Sequence, residues 1–587
     1  MKTSMALSVA LAATMVNGIT NEALALNSAS ANILGNNPES LKPLVSRSGF
    51  VSDPMLKDQS VLLASRSTSG VSDFVGTMSV ENFQGTLNNL NFTHESAAGF
   101  RNYLTKWYRP NFARQDKDVS VWLYHDSALG DNLDLWSSAG IDYGIDAVRT
   151  AWHSGHGGMV RPNVYIAAMG ANWSNRGWYA YSNQMSLGGN YWWNGDERLR
   201  YMFWDTCNSV MISGGNSPYT TWGTRAKGVR MVFGYETTSI DSPYYGKYFW
   251  EEWNKGKSLS QAFLDASARI SPKQSPAVVA FGATQAAVKS ILFNERLMTS
   301  SASSNAWGQW RWTNVRSVAL SPRTTVFANF ENSNPQAFAL VKGNNQPIEV
   351  SRIAEEFGIQ IKQPQEIQNR SFSLKAVETK AGTLTVEPNG SFELQLKNAL
   401  TSPGKSAMTD GILLNKAKQL ARQLSFTQGF DLQASLVRNE LEAGGSKNTK
   451  TGVKVVKKTV ILDQVIHGVP FIDPNAGHLE ISFDASSGKV NGVRSTLQNL
   501  QPVARAFVNA RGSSRLSIDD ARKTALGLFS NQGGALMRGG QNLQIAPNSE
   551  SVGYQIIDNQ AVPVFRAEIV DPAQKTARPR EALVPLI

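Results

Sequence analysis

Trp152-His-Ser-Gly-His-Gly-Gly158 follows directly on the apolar run Ala147 to Trp152, and Trp204-Asp-Thr-Cys-Asn-Ser209 follows on the run Leu199 to Trp204. Each stretch reads as a buried strand that ends in a small-residue loop carrying chemically capable side chains. Further apolar runs of five or six residues stand at Val119 to Tyr124, Val229 to Phe233 and Ala277 to Phe281. Runs this short, bounded by turn residues, predict buried strands rather than helices. Helical signals lie outside the runs. Phe100, Tyr103, Leu104 and Trp107 recur at helical spacing before Pro110, and Ser258-Leu-Ser-Gln261 is a capping box opening a helix with Leu259, Ala262, Phe263, Ala266 and Ile270 on one face. Strands alternating with helices predict an α/β sandwich over a largely parallel sheet, in which ligands sit at the carboxyl ends of the strands.

The remaining chain frames this segment. Met1-Lys2, the apolar run Met5 to Val16 and Ala23-Leu24-Ala25 have the three parts of a secretory signal, with cleavage expected after Ala25 and a secreted or periplasmic destination. Residues 26–74, rich in Ser, Asn, Gly and Leu, read as a leader or linker, and 75–315 as the ordered α/β domain. Residues 316–409 read as a connector or small β-rich unit. From 410 to 587 a smaller α+β domain is expected. Its parts are a helix from Leu413 to Leu424, strands at Val453 to Ile461 and Leu479 to Phe483, and the turn Asp484-Ala-Ser-Ser-Gly488. A helix from Ser517 to Leu528, with Asp519 and Asp520 in its first turn, and a last strand from Val562 to Ile569 complete it. The net charge of +11 is spread along the sequence, which suits solubility and argues against nucleic acid as a partner. No later stretch is apolar for long enough to span a bilayer as a helix.

The chain holds one cysteine, Cys207, so no internal disulfide supports it and the thiol stands unpaired. An imidazole titrates close enough to neutral pH to take a proton from such a thiol, and His156 precedes Cys207 by 51 residues, the order and distance of a caspase-type pair. Gly157 lets the backbone approach a substrate carbonyl, and its amide with that of Cys207 is expected to supply an oxyanion hole. His153 is read as a neighbour. No third ligand at metal-like spacing joins the two histidines, and no nucleophile elbow, His-Glu-x-x-His or phosphate loop occurs, so neither metal nor cofactor is expected.

These residues resemble a known family. Ser154-Gly-His-Gly157 and Asp205-Thr-Cys-Asn-Ser209 look like the histidine and cysteine motifs of metacaspases, within the wider caspase, legumain and gingipain group of cysteine peptidases. The resemblance covers roughly residues 75–315. It implies a caspase-like α/β/α sandwich, His156 and Cys207 as the catalytic dyad, and a peptide or protein substrate. In that family the aspartate matching Asp205 helps hold an arginine or lysine side chain before the scissile bond; the alternative for Asp205 is a carboxylate capping backbone amides. Asp126 and Asp146 are second candidates. The long insert from Met159 to Arg198, with Trp173, Trp178, Tyr179, Tyr181, Tyr191, Trp192 and Trp193, departs from the family pattern. It supports a second reading, a silent caspase-like protein that binds carbohydrate or peptide on its aromatic rings.

A softer resemblance covers about 410–575. Gln464-Val-Ile-His-Gly-Val-Pro-Phe471, His478-Leu-Glu-Ile-Ser-Phe-Asp484, Ser517-Ile-Asp-Asp-Ala-Arg522 and Pro563-Val-Phe-Arg-Ala567 are similar to the fungalysin/thermolysin-type propeptide and the related PepSY domain. Such modules accompany secreted peptidases and often restrain them. The C-terminal domain is therefore expected to act as an intramolecular partner, with His467 and His478 structural.

Overall fold

The computed structural model describes residues 75–587 apart from 85–86, 108–112, 120–144, 146–147, 172–177, 186, 189–198, 300, 318–326, 328–329, 331–335, 341–345, 360–374, 388, 398–406, 427–429, 503–515, 531–542 and 573–577. The expected signal, the leader, the strand expected at 119–124 beyond Val119, Asp126, Asp146, Trp173, Tyr191, Trp192 and Trp193 lie outside the described residues.

The first half is β1 (Val75–Ser79), α1 (Thr93–Trp107), β2 (Ala113–Lys117), β3 (Thr150–Ser154), β4 (Gly157–Arg161), β5 (Val164–Ala168), β6 (Tyr179–Tyr181), β7 (Tyr201–Asp205), β8 (Met231–Tyr235), α2 (Tyr245–Asn254), α3 (Leu259–Ala268), β9 (Pro276–Gly282), α4 (Gln285–Asn294) and β10 (Trp307–Ser317). Strands β2, β1, β3, β7 and β8 lie side by side and parallel, and β9 and β10 continue the sheet antiparallel. All five residues of each of β3, β7 and β8 are buried, as strands covered on both faces require. Alternate residues serve opposite faces. Trp152, Tyr201, Phe203 and Phe233 pack under α1 to α4, where the rings of Phe203 and Phe233 stack 3.9 Å apart. Burial of each such side chain contributes about 1.5–3 kcal/mol. Ala151, Met202, Trp204 and Val232 face the other way, against Leu90, Tyr165, Met185 and Trp222. Among the described residues that second face is covered by loops, the small sheet β4-β5-β6 and the turn of helix Tyr219–Gly223 rather than by long helices.

The second half comprises β11 (Phe338–Leu340), α5 (Gln346–Glu356), β12 (Lys375–Glu378), β13 (Gly382–Val386), β14 (Phe392–Leu396), α6 (Asp410–Gln423), β15 (Asp431–Gly445), β16 (Lys454–Ile466), β17 (Val469–Pro470), β18 (His478–Asp484), β19 (Val490–Ser495), β20 (Leu500–Pro502), α7 (Ile518–Ser530), β21 (Gln544–Ile545), β22 (Ser551–Ile557), β23 (Gln560–Val570) and β24 (Arg580–Pro585). Strand β15 pairs with β10, so the central sheet runs on through β16, β18, β19, β14, β13 and β12, a mixed sheet of fifteen strands among the described residues. The stretch from 316 to 409 is shared out: β12 to β14 extend this sheet, and β11 joins a second sheet with β20 to β24. Helices α5 and α6 cover the antiparallel part of the first sheet, and α7 covers the second. The local signals read from sequence are in place. Ser258 caps α3 by accepting from the Gln261 amide, Asp484 accepts from the amides of Ser486 and Ser487, and Gly488 turns at φ +62°. The protein is a mixed α/β fold, and among the described residues no helix is long and apolar enough to cross a membrane.

Candidate active site

Strands β3 and β7 are parallel neighbours, with Ser154 opposite Asp205. Their carboxyl ends therefore bring the loop of His156 beside the turn of Cys207, the position where open α/β sheets bind ligands. The turn after β7 is tight. Asn208 takes a left-handed φ of +53°, which asparagine tolerates better than most residues, and its side chain donates to the Glu236 carbonyl. Ser209 Oγ accepts from the Tyr235 amide and bonds to the Thr206 and Trp204 carbonyls, pinning the turn to β8. Cys207 is thus held at a sharp corner, fully buried.

His156 is also buried, and both ring nitrogens are engaged. Nδ1 accepts from the main-chain N–H of Arg578 at 2.8 Å, so Nε2 carries the proton and donates to the Asn88 carbonyl at 2.8 Å. Burial lowers its pKa to about 3, with the Asn88 carbonyl opposing and the charges of Arg578 and Arg580 adding to the shift. The Sγ of Cys207 is bonded elsewhere. It accepts from the Ser239 amide at 3.4 Å and lies 3.6 Å from the Ser239 carbonyl. Burial raises the thiol pKa, with Arg578 opposing. In this state the pair is a neutral imidazole and a neutral thiol, with the basic nitrogen covered by the C-terminal segment.

Asp205 lies at the end of β7, its side chain fully buried. Its Oδ2 accepts from the hydroxyls of Ser96 at 2.7 Å and Ser154 at 2.6 Å, and its Oδ1 from Nη2 of Arg578 at 2.6 Å. Its carboxylate partners are hydroxyls and a guanidinium, not the backbone amides of a cap. The same guanidinium donates to the carbonyls of Ile240 at 2.5 Å and Asp205 at 3.1 Å and contacts Ser154 Oγ at 3.4 Å, with Tyr245 beside it 5.4 Å from the ring centroid. Burial alone would depress the Arg578 pKa, but Asp205, Tyr245 and Asp241 outweigh it and keep the group charged. A cleft of about 160 Å³ adjoins, lined by Asn88, Leu90, His156, Thr238 and Arg578 to Arg580.

Gly157 starts β4, and a Cβ there would meet Tyr165 Oη at 2.5 Å and Thr206 Cβ at 3.0 Å. The space is filled by the Tyr165–Thr206 hydroxyl pair, 2.6 Å apart, which ties the His156 loop to the Cys207 turn. Glycine is therefore required for packing at this position, beside any role of its amide. His153, on β3, packs edge-on against Trp204. His478 bonds Asp463 and the Asp473 carbonyl within the second half, and His467 stands in the turn between β16 and β17. Glu252, Asp265 and Glu393 bring carboxylate oxygens together, but Lys257 pairs with all three, Lys255 with Glu252 and Glu393, and Arg269 with Glu252, so the group is an ion-pair network.

Sequence reasoning passed over Asn88, Ser96, Ile240 and Arg578. Asn88 and Ile240 act through carbonyls, which leave no trace in residue type. Arg578 sits in an unremarkable basic tail, although Ser154 lay within the quoted motif. Residues 77–314, the segment that holds His156, Cys207 and Asp205 but not Arg578, match the model of a domain of unknown function, DUF6345. No curated protein matches the chain.

Proposed function

We propose that the chain is a caspase-like cysteine endopeptidase that cleaves after basic residues, with residues 75–315 as its catalytic domain and the second half as a propeptide-like or PepSY-like restraint. The observation that carries this reading is a pocket for a guanidinium, built on Asp205, at the same strand ends as His156 and Cys207. The Asn88 carbonyl fixes the imidazole with its proton on Nε2, which leaves Nδ1 as the acceptor a general base needs.

With a substrate in place, Cys207 gives its proton to His156 Nδ1 and the thiolate attacks the carbonyl carbon after the basic residue. The oxyanion forms opposite the amides proposed for it, Gly157 and Cys207. His156 then protonates the leaving nitrogen, the C–N bond breaks, and a thioester on Cys207 remains. Water surrenders a proton to His156 and attacks the thioester, the released thiolate takes that proton back, and the carboxylic acid formed gives its remaining proton to solvent, leaving a new carboxylate beside the new amine.

Cleavage of a peptide carrying arginine before a reporter amide tests this. Turnover should be lost in Cys207→Ala and in His156→Ala, and the double variant should be no worse than either, because the two act as one unit. Activity that survives in Cys207→Ala would overturn the assignment, and absence of turnover once the second half is displaced would favour the silent binding reading.

A further inference from the structure

We propose that Arg578 is the resident occupant of the arginine pocket, so that β24 keeps the site latent until it is displaced. The inference rests on the reading of this pocket as the substrate side-chain site.

The geometry is that of a bound ligand rather than of an ordinary surface ion pair. Arg578 is 422 residues from His156 and 373 from Asp205 in sequence, yet its side chain is fully buried among their loops. Its two terminal nitrogens reach four acceptors from three different elements: Asp205 Oδ1, the Asp205 carbonyl, Ser154 Oγ and the Ile240 carbonyl. A planar fork makes such contacts, and a single ammonium nitrogen does not, so the pocket selects arginine over lysine. The pocket stays organised around the carboxylate through Ser96 and Ser154, whose hydroxyls both donate to Asp205 Oδ2.

The main chain closes the site a second time. The Arg578 amide occupies His156 Nδ1, the nitrogen the thiol would need, and the Asp241 amide holds the Pro579 carbonyl at 3.2 Å. Arg580, two residues on, begins β24, which is paired to β23 along its length. The plug is therefore delivered by a strand of the second sheet. Tethering of this kind gives a high effective concentration without strong intrinsic affinity, and cutting or peeling away β24 removes it.

The test uses the full chain, with benzamidine as a probe of the pocket and an arginyl reporter peptide as a probe of turnover, in wild type, Arg578→Ala and Arg578→Lys. Benzamidine should bind Arg578→Ala at least tenfold more tightly than wild type, with Arg578→Lys between them, and iodoacetamide should label Cys207 at least tenfold faster in Arg578→Ala. Arg578→Lys keeps a charge in the pocket and guards against a folding defect in the alanine variant. Equal benzamidine affinity in wild type and both variants overturns the plug, as does reporter turnover by wild type as fast as by Arg578→Ala. Benzamidine binding gained in Arg578→Ala without any turnover upholds the plug and defeats the peptidase reading instead.

Discussion

Among the places where buried charge joins the two halves of this protein, two are built in opposite ways. At the first, Glu252 at the end of α2 takes Lys255 at 2.9 Å, Lys257 at 2.5 Å and Arg269 at 3.0 Å. These cations in turn hold Glu387 and Glu393 from the β13–β14 hairpin, Asp265 of α3 and Glu251. Glu252, Lys255, Lys257 and Arg269 each have two or more partners of opposite sign, so removing one strands the others. At the second, one arginine just ahead of one strand enters a pocket whose carboxylate keeps two hydroxyl donors of its own, beside a cleft. The first arrangement is a weld and the second a latch. A buried ion pair is weak evidence of stability in itself, so the distinction has to come from what remains when one partner leaves.

The sharpest way to break this comparison is Glu252→Ala. It leaves Lys255, Lys257 and Arg269 short of their shared carboxylate and is expected to cost about 3–5 kcal/mol in urea unfolding. Arg578→Ala should cost clearly less, since Asp205 retains Ser96 and Ser154; equal losses would make the latch part of the weld.

Acid separates the two regions next. His153 and His156 both titrate near 3 in the folded chain, chiefly through burial, with Arg578 adding to both shifts and Arg580 to that of His156. Because the unfolded histidines bind protons near pH 6.5 and the folded ones do not, their contribution is complete above that pH and is lost as the pH falls towards 3. Burial opposes ionisation of Glu252, but Lys255, Lys257 and Arg269 outweigh it and hold its carboxyl well below the usual range, so its contribution persists to lower pH. Between pH 6.5 and 5 the site should lose about 2–4 kcal/mol while the network keeps its charges. Hydrogen exchange that rises first at the amides of Gly155 and Arg578, ahead of residues 252–269, is the expected result, and simultaneous release would contradict it.

A smaller effect sharpens the latch itself. In the Arg578→Ala background, Asp205→Asn keeps the shape of the pocket and removes its charge. Discrimination between arginyl and neutral peptides should fall by roughly 1.5–3 kcal/mol, the scale of a hydrogen bond to a charged group. An unchanged profile would mean that the Ile240 and Asp205 carbonyls, not the carboxylate, read the substrate.

What was legible in the sequence follows the range of the forces involved. Strands β3, β7, β8 and β9 were plain because strands buried on both faces are continuous apolar runs, α3 because its cap is local, and α7 because its acidic first turn is. The joining of β10 to β15 was not, because Trp310 opposite Ala443 and Trp312 opposite Leu441 meet only after more than a hundred intervening residues. His156, Cys207, Gly157 and Asp205 were singled out by residue type and order, and the structure sets them at adjoining strand ends. The Asn88 and Ile240 carbonyls had no side-chain signature, and Arg578 acquires its meaning only from the strand that carries it to Asp205.

The most direct measurement is a mass-spectrometric digest of a mixed peptide library by the Arg578→Ala protein beside the Arg578→Ala/Cys207→Ala double variant. The account predicts new carboxyl termini ending in arginine in the first digest, with far fewer ending in lysine, and none in the second. Cleavage without a basic preference, or the same products from the protein lacking Cys207, would contradict it.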